Sequence, residues 1–530
     1  MSGKKDMNKF TTISSFFVRF PLTGAILPVL ALLVPAVLFL PRESLWTDET
    51  TVLSGLTLGP IEIIGWLTGK FHHFNVPPDN APPVGYWLQM LWASIFGLTE
   101  LSMRSFALVV VSIAVVVVFE TARIAFGFKS GLLAGFLFAL SPNVVEQAVN
   151  IRVYPCLLLL SACGFYCLVR YFDQSQKNQN RWLTGIIVVS ILATYSHFFG
   201  LLLAGSLLLA VLAEVWKEGK SLKPVFIAIA LVGVSAAGLV PFLLTMFGNL
   251  GSKVGGTDEG NIRAIVRLLY RQVAHPTTSV SIFAVISATL GFLTLLILSL
   301  LRRGSENRQR DAILTALIGG FMVIVLGRIF VSPLVTETRY NLWIIPGLMI
   351  LLSSSLTVTF RFSGILKVAA VILLVGASVF AASQFVVNGF YFSHSRFSSI
   401  DKYIQKLGPE NVAVIHEGNA AVCFPIQYTY ESKISQYMLM PSENSRHLLK
   451  KFPELKNEAS ISEINSAYIM LLRTEAIGAS DIADRIKNGE KPLADSTYQE
   501  ILEKSGKWNL NTSQIFISYF QTDMKIYEKK

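Results

Sequence analysis

The sequence has 530 residues, of which 52% are hydrophobic and only 15% are charged. Soluble domains carry about 25% charged residues and disordered chains are poor in apolar residues, so the composition excludes both classes. The net charge of +11 is unevenly distributed, because residues 389–530 contain 17 Lys/Arg and 17 Asp/Glu and are neutral. We therefore predict a membrane-embedded body, residues 1–388, followed by a soluble tail, residues 389–530.

Eleven apolar segments predict membrane-spanning helices, because about 20 apolar residues are needed to cross a bilayer. The segments are 20–40, 105–125, 130–146, 153–171, 183–198, 199–215, 224–246, 279–301, 312–331, 341–359 and 364–386. The first segment is too long for the core of a cleaved signal peptide, so we interpret it as an uncleaved span. The predicted fold class is a mainly α-helical, polytopic membrane protein.

The loops between these segments differ in charge, and every second loop carries Lys and Arg. The cations of these loops are Lys4, Lys5, Arg123, Lys129, Arg170, Lys177, Arg181, Lys217, Lys220, Lys223, Arg302, Arg303, Arg308, Arg310, Arg361 and Lys367. Positively charged loops stay in the cytoplasm, so we predict a protein of the inner or plasma membrane with a cytoplasmic N-terminus and a periplasmic or extracellular tail. This distribution indicates topology and contact with membrane lipids, and it gives no indication of nucleic-acid binding.

The segment Pro83–Gly97 is apolar but only 15 residues long. If it were counted as a span, every later loop would lie on the opposite side of the membrane, and the Arg clusters would lie outside the cell. We therefore predict an amphipathic helix that lies in the membrane interface. The first outer loop then covers residues 41–104, a length that is unusual unless a loop carries function.

This loop opens with PRESLWTDETTVL, which places the adjacent carboxylates Asp48 and Glu49 just after the first span. A partly desolvated carboxylate at the membrane boundary can have a raised pKa and act as a general base. Alternatively, Thr47 or Asp48 caps a helix that begins near Glu49. The two interpretations have about equal weight on the residues alone.

Polar residues also lie near the outer ends of later spans. Asp79 precedes the interfacial helix, where capping explains it. Glu146 and Asn150 are four residues apart and are predicted to share a helix face, followed by Arg152. An Arg in this position commonly extends to lipid headgroups, which is the alternative to a catalytic role.

Two more outer segments carry candidate binding residues. His197 lies in the turn YSHFFG, where a structural role is the more common one. Arg339 and Tyr340 lie at the outer mouth of the tenth span, and an Arg side chain suits bidentate phosphate recognition.

A stripe of three Arg residues precedes the eighth span. Arg263, Arg267 and Arg271 follow each other at intervals of four, opposite the apolar residues Ile262, Val266, Leu269 and Val273. The pattern predicts an interfacial helix with a basic face, which binds lipid headgroups or, more specifically, a lipid-linked phosphate.

Five motifs in chain order resemble those of the GT-C membrane glycosyltransferases that use polyprenyl-phosphate sugars. The similar families are the protein mannosyltransferase-like family 39 and the lipid A aminoarabinose transferases. The motifs are WTDET, DNAPPVGYW followed by an Arg, NIRVYP, YSHFFG and RYNLWIIPGL. The resemblance runs from residue 20 to about residue 350, and many bacterial members add an outward soluble domain.

The resemblance implies a GT-C fold and transfer of a monosaccharide, with inversion, from a polyprenyl-phosphate donor to an extracytoplasmic lipid, glycan or protein acceptor. Asp48 would be the catalytic base, and Glu49 would position substrate or metal. The donor phosphate would be surrounded by Arg152, Tyr154, His197, Arg339, Tyr340 and Arg267. Asp79 and Tyr86 would belong to the substrate loop.

The resemblance also implies a divalent cation, Mg²⁺, Mn²⁺ or Zn²⁺, with Asp48, Asn150 and Glu146 as candidate ligands. Asn150 stands where the family usually has Glu, so the ligand there is uncharged. Ala81 stands where the aminoarabinose transferases often have Lys, which argues against that substrate.

Two other functional classes remain as alternatives. A flippase or transporter for a lipid-linked sugar predicts inverted repeats and charged, broken helices at the midplane, which the sequence does not show. A catalytically silent scaffold is the second alternative, if Asn150 marks a site that has lost its function.

The tail alternates helix and strand patterns, which predicts a small α/β domain. A helix is predicted at FSSIDKYIQKLG, strands at NVAVIH and SAYIMLLRT, and a last strand or hairpin at FISYFQTDMKIY. Acceptor recognition, closure of the site and a purely structural role are all compatible with this pattern.

Overall fold

The computed structural model describes residues 21–71, 73, 79, 81–173, 179–250, 261–273, 282–301, 308–330, 336, 338–357, 363–388, 395–418, 422–430, 433–439, 461, 464–476, 492–493, 497–518 and 520–530. Six of the predicted cytoplasmic cations lie outside the described residues: Lys4, Lys5, Lys177, Arg302, Arg303 and Arg361. The chain forms two compact units. The first contains the described residues within 1–38, 104–240 and 258–383, and the second contains those within 39–103, 241–257 and 384–530.

The part of the chain before the tail is helical. Its helices are α1 (Ile26–Phe39), α2 (Thr47–Leu56), α3 (Glu62–Leu67), α4 (Val84–Phe96), α5 (Glu100–Phe126), α6 (Phe128–Ala139), α7 (Pro142–Gln147), α8 (Tyr154–Tyr171), α9 (Gln179–Ser196), α10 (Gly200–Lys217), α11 (Lys223–Ala237), α12 (Val240–Leu250), α13 (Asn261–Val273), α14 (Ile282–Leu301), α15 (Arg308–Phe330), α16 (Ile344–Ser353) and α17 (Ser363–Val387). Each of the eleven predicted spans coincides with one or two of these helices.

Within the described residues, six helices are long and apolar enough to cross a membrane. They are 100–126, 154–171, 200–217, 282–301, 308–330 and 364–384, and shorter apolar helices cover 23–39, 128–139, 223–237 and 344–357. The predicted fold class, a polytopic helical membrane protein with an α/β tail, is confirmed by these helices and by the sheet described below.

Two predicted spans are interrupted, and a proline explains each break. Segment 130–146 divides into α6 and α7 because Pro142 forces the preceding Ser141 into an extended conformation, with ψ of 123°. Segment 224–246 divides into α11 and α12, where Pro241 has no N–H to offer the carbonyl of Ala237. The hydroxyl of Tyr195 donates to the carbonyl of Ser235 (2.6 Å) beside this second break.

The short helix α16 is the centre of the first unit. It packs against α6, α8, α14 and α15, and its side chains are buried on every face, as Ile345, Ile350 and Leu352 at 0% exposure illustrate. Apolar side chains all round a helix are typical of such a central position. The hydroxyl of Ser161 on α8 donates to the carbonyl of Trp343 (2.5 Å) and holds the start of α16.

In the second unit, α2 packs against α3 and α4. Gly55 on α2 makes this contact possible, because a Cβ atom there would lie 2.6 Å from the ring of Trp66 and 2.8 Å from that of Tyr86. The predicted interfacial helix is α4, which has 13 residues and is thus about 20 Å long. It buries Tyr86 and exposes Leu91 and Ile95 at 62% and 67%, as an amphipathic helix in the interface requires.

The tail contains both helices and a β-sheet, as predicted. Its elements are α18 (Phe397–Leu407), β1 (Val412–Gly418), α19 (Cys423–Tyr430), β2 (Ser435–Leu439), β3 (Tyr468–Ala476), α20 (Thr497–Lys504), β4 (Trp508–Ile517) and β5 (Phe520–Lys529). The sheet order is β2-β1-β3-β5-β4. Strands β1, β2 and β3 are parallel, and β3, β5 and β4 pair antiparallel, so the predicted terminal hairpin is β4–β5.

We expect Gly347→Ala to destabilise the first unit by about 1–3 kcal/mol, because the added Cβ would lie 2.2 Å from the buried ring of Phe165. The matched control is Gly205→Ala on α10, where a Cβ meets no atom within 4 Å. Helix propensity should leave that variant neutral or slightly more stable. Thermal unfolding of the purified protein in detergent measures both, and equal melting temperatures for the two variants would contradict the packing.

Candidate functional site

Five of the predicted phosphate-binding residues come together at one end of the first unit. The His197 ring centroid lies 5.4 Å from that of Tyr154 and 5.6 Å from that of Tyr340. The guanidinium of Arg152 lies 5.7 Å from the Tyr154 ring centre, and that of Arg339 lies 5.1 Å from the Tyr340 ring centre. We call these five residues the cationic cluster.

Three connections supply the cluster. Arg152 lies in the connection between α7 and α8, and Tyr154 is the first residue of α8. His197 lies in the turn between α9 and α10, and Arg339 and Tyr340 lie in the 3-10 helix Thr338–Asn341 before α16. Arg152, Tyr154 and His197 are 8%, 3% and 5% exposed, whereas Arg339 is exposed. A buried wall and an accessible Arg thus form one site.

His197 is a neutral hydrogen-bond donor in this cluster. Burial, together with the charges of Arg152 and Arg339, lowers the pKa of His197 to about 3. Its Nδ1 accepts the backbone N–H of Phe199 (3.2 Å), so the neutral ring carries its proton on Nε2. The cluster therefore offers two permanent cations and one neutral N–H, a combination suited to an anion such as phosphate.

Arg104 positions the connection that carries Arg152. Its guanidinium is 1% exposed and donates to the carbonyl of Val149 (2.5 Å), 45 residues away in the chain. Helix α7 ends at Gln147, and in the connection after it the carbonyl of Asn150 accepts the backbone N–H of Arg152 (2.9 Å). Asn150 is therefore not on a helix with Glu146, and the predicted shared helix face is wrong.

Helix α13 contains the predicted Arg stripe and contacts the 3-10 helix of the cluster. The side-chain amide of Gln272 donates to the carbonyls of Thr338 (3.5 Å) and Asn341 (3.4 Å). The amide of Asn143 donates to the carbonyl of Arg271 (2.7 Å). Arg267 is half-buried one turn earlier on this helix, and its phosphate contact stays a prediction.

The face of α13 that is buried in the protein is separate from its apolar stripe. Ala264, Leu268 and Gln272 are at most 1% exposed, whereas Ile262 and Val266 are 81% and 60% exposed. In a bilayer the exposed apolar residues have a favourable environment in lipid, so they need no protein contact.

Two buried amide oxygens lie in the segment just before Arg152 of the cluster. Within the described residues, Oε1 of Gln147 and Oδ1 of Asn150 have no hydrogen-bond partner. Hard cations prefer several oxygen ligands including carboxylates, and no group of three His, Cys, Asp or Glu in the described residues could hold a metal. A cation held by Asp48, Asn150 and Glu146 therefore stays a prediction from the resemblance.

The predicted carboxylate pair lies in the second unit, in the first turn of α2. The residue that caps α2 is Trp46, and its side chain makes no capping hydrogen bond, so the alternative in which Thr47 or Asp48 caps the helix is wrong. Glu49 is 0% exposed, whereas Asp48 is half-buried. A helix N-terminus favours negative charge at both positions.

Asp79 and Tyr86, the predicted substrate-loop residues, are in direct contact. The Tyr86 hydroxyl donates to Oδ2 of Asp79 (3.0 Å), and the Tyr86 side chain is 0% exposed. Pro83 precedes α4 in the capping position, so the expectation that Asp79 caps this helix is wrong. The pair instead joins the loop to the packed face of α2.

The tail contacts the segment that leads into α2. The Ser395 hydroxyl donates to the carbonyl of Leu45 (2.5 Å), and the backbone N–H of Ser398 donates to the hydroxyl of Ser44 (2.8 Å). Helix α19 of the tail also packs against α2 itself. The position of Asp48 and Glu49 therefore depends on the tail.

Several residues of the site were not singled out from the sequence. Phe199 stacks on Tyr340 and His197, with centroid distances of 5.2 and 5.6 Å, and it is part of the YSHFFG motif that pointed to His197. Gln272 could have been found as the polar member of the Ala264–Leu268 face. The contacts of Ser44 and Ser395 join segments 350 residues apart and leave no local signal.

We expect His197→Gln to reduce the acid sensitivity of the fold. The unfolded state takes up a proton near pH 6.5, whereas folded His197 resists protonation down to about pH 3. Wild-type stability is therefore lost as the pH falls below 6.5, by about 2 kcal/mol between pH 7 and pH 5. Denaturant unfolding in detergent at both pH values should show a smaller loss for the variant.

The control for this experiment is Phe199→Leu, which removes a ring neighbour of His197 without removing a titratable group. Its effect on the free energy of unfolding should be equal at pH 7 and pH 5. Parallel pH profiles for the wild type and His197→Gln would contradict the assignment of a buried, neutral His197.

Comparisons with known proteins bear on the family and on the fold. Residues 80–244 match the family model described as dolichyl-phosphate-mannose-protein mannosyltransferase. No curated protein sequence matches the chain significantly. Among solved structures, ArnT from Cupriavidus metallidurans bound to undecaprenyl phosphate is similar with a TM-score of 0.56, at 13% identity, over 94% of this chain and 97% of that chain.

The apo state of the same ArnT is similar with a TM-score of 0.55, at 12% identity, over 94% of this chain and 97% of that one. At these identities the structural likeness concerns the fold, which is ArnT-like from the first span through the tail. The resemblance to GT-C membrane glycosyltransferases of the mannosyltransferase-like type, predicted from the five motifs, is confirmed by the family model over residues 80–244 and by the shared fold.

Proposed function

We propose that the protein is an integral-membrane glycosyltransferase that transfers a monosaccharide from a polyprenyl-phosphate donor to an extracytoplasmic acceptor. The observation that carries the proposal is the cationic cluster, in which Arg152 and Arg339 stand beside a neutral His197. The ArnT structure with the similar fold contains undecaprenyl phosphate, which supports a lipid phosphate as the ligand of this cluster.

The cluster suits the leaving group of such a reaction. When the bond between the anomeric carbon and the phosphate oxygen breaks, the lipid phosphate gains one negative charge. Two guanidinium groups stabilise this developing charge in a site with little water, where electrostatic interactions are strong. A phosphate departs as an anion without a proton, so the low pKa of His197 is compatible with its role as an Nε2–H donor.

The buried amide oxygens supply hydrogen-bond acceptors for a sugar. Buried polar atoms are almost always satisfied by protein, water or ligand, and Oδ1 of Asn150 and Oε1 of Gln147 have no partner within the described residues. We propose that these two oxygens accept hydrogen bonds from hydroxyl groups of the donor sugar. This role needs no charge, which fits Asn in place of the usual Glu.

Asp48 is the proposed general base, and Glu49 is a positioning residue. Only a carboxylate that reaches the surface can accept a proton from an incoming acceptor, and Asp48 is half-buried whereas Glu49 is 0% exposed. Attack by the acceptor hydroxyl on the face opposite the departing phosphate inverts the anomeric carbon. The acceptor is a lipid, glycan or protein. Asp79 and Tyr86 belong to the loop of this chain that contacts the substrate.

The proposed location is the inner or plasma membrane, with the N-terminus in the cytoplasm and the tail in the periplasm or outside the cell. The supporting feature is the alternation of basic loops. In this orientation the carboxylates and the cationic cluster act on the outer side, where polyprenyl-phosphate sugars serve extracytoplasmic acceptors.

We expect Asp48→Asn to reduce sugar transfer at least about 100-fold, because removal of a general base typically costs that much. Membranes containing each variant are supplied with labelled polyprenyl-phosphate monosaccharides and acceptor extracts, and donor consumption is measured. The matched control is Glu62→Gln, an exposed carboxylate in the first turn of α3. Equal donor consumption by the wild type and by Asp48→Asn would overturn the assignment of Asp48 as the base. If the wild type consumes no donor, the proposed function is overturned.

We expect Arg339→Gln to raise the KM for the donor about tenfold or more, because a charged hydrogen bond to phosphate is lost. Inhibition by free polyprenyl phosphate should weaken in parallel, since both ligands present the same phosphate. Arg308→Gln is the control, because this Arg pairs with Glu218 (2.8 Å) away from the cluster. Because the same guanidinium stabilises the developing charge, kcat should fall as well. An unaltered donor KM together with unaltered inhibition by free polyprenyl phosphate would contradict the role in phosphate binding.

A further inference from the structure

A second site lies in the first unit, at the other end of α6 from the cationic cluster. It is a cavity of about 460 Å³ lined by residues of α6, α17 and the 3-10 helix Ser354–Thr357. Its walls include Leu133 and Phe136 on α6 and Val371 and Val375 on α17. These side chains form an apolar channel along two neighbouring helices.

The polar part of the lining is cationic. Lys129 and Lys367 both line the cavity, and its described lining includes no acidic side chain. Lys129 is exposed in the first turn of α6. The Lys367 ammonium donates to the carbonyl of Leu356 (3.3 Å), which holds it at the 3-10 helix.

Two helix N-termini add to the positive potential at the same end. Helix α6 begins at Phe128 and α17 begins at Ser363, so Lys129 and Lys367 lie in the first and second turns of their helices. The unpaired N–H groups of a first turn and the helix dipole favour an anion. The Ser130 hydroxyl donates to the carbonyl of Ser353 (3.0 Å) and fixes α6 to the end of α16 beside this cavity.

The site is distinct from the cationic cluster. Helix α6 runs from Lys129 towards α7 and the connection that contains Arg152, and its 12 residues extend about 18 Å. Lys129 and Lys367 also belong to the basic loops that are predicted to be cytoplasmic, whereas the cluster belongs to the opposite ends of the spans.

We propose that this cavity binds an anionic phospholipid, with the headgroup phosphate at Lys129 and Lys367 and an acyl chain along Val371 and Val375. The two lysines of the lining match a headgroup of net negative charge better than a zwitterionic one, because they repel the cation that a zwitterionic headgroup carries. A free phosphate would leave the apolar channel without a partner, so both parts of the cavity are used only by a lipid.

The test compares lipid binding to the purified full-length protein in neutral detergent. Phosphatidylglycerol and phosphatidylcholine with the same acyl chains are added, and bound lipid is measured by native mass spectrometry and the melting temperature by fluorescence. We expect tighter binding of phosphatidylglycerol, and a loss of about fivefold in its affinity for each of Lys129→Gln and Lys367→Gln. Lys129→Arg and Lys367→Arg should retain binding, which shows that the charge matters.

Two further variants make the result specific. Val371→Trp fills the channel and should weaken both lipids, whereas Lys223→Gln, an exposed lysine at the start of α11 outside the cavity, should change neither. Equal affinity of the wild type for the two lipids would overturn the proposal. An equal loss of phosphatidylglycerol affinity in Lys223→Gln and Lys129→Gln would also overturn it. The same holds if inorganic phosphate raises the melting temperature as much as phosphatidylglycerol does.

Discussion

The buried guanidinium of Arg104 donates to the carbonyl of Val149, and the geometry of the cationic cluster depends on this contact. A charged group inside an apolar helical bundle costs several kcal/mol unless its donors are satisfied. The connection between α7 and α8, which begins after Gln147, is therefore held against α5. As a result Arg152 and Tyr154 arrive at the start of α8, beside His197, instead of being carried along a longer α7.

The cluster keeps two Arg residues close together because the third member is uncharged. If His197 were protonated, its positive charge would add to those of Arg152 and Arg339, and this repulsion is one cause of its low pKa. The charges of Arg152 and Arg339 thus help to keep the ring neutral, so that it presents an N–H donor beside the two guanidinium groups.

Much of this arrangement could be predicted from sequence, because it follows from local patterns. The lengths of the apolar segments predicted the helices, and the residue patterns of the tail predicted its strands. The order of the motifs predicted that Arg152, His197 and Arg339 share one end of the bundle. The wrong predictions concern places where tertiary contacts decide the local structure. Glu146 and Asn150 do not share a helix face because α7 ends at Gln147, and the connection after it is held by Arg104, which is 45 positions away from Val149.

The contacts between the tail and α2 bear on what the soluble domain is for. In the second unit, Ser395 and Ser398 hold the segment Ser44–Leu45, and α19 packs on the helix that carries Asp48. A loop that leaves a membrane helix is restrained only at its ends, whereas catalysis requires a base placed within a fraction of an ångström. The tail adds the missing restraint by hydrogen bonds to the carbonyl of Leu45 and to the hydroxyl of Ser44, just before the first turn of α2. It is therefore part of the scaffold of the candidate site, which is why the first outer loop and the tail, distant in sequence, belong to one compact unit.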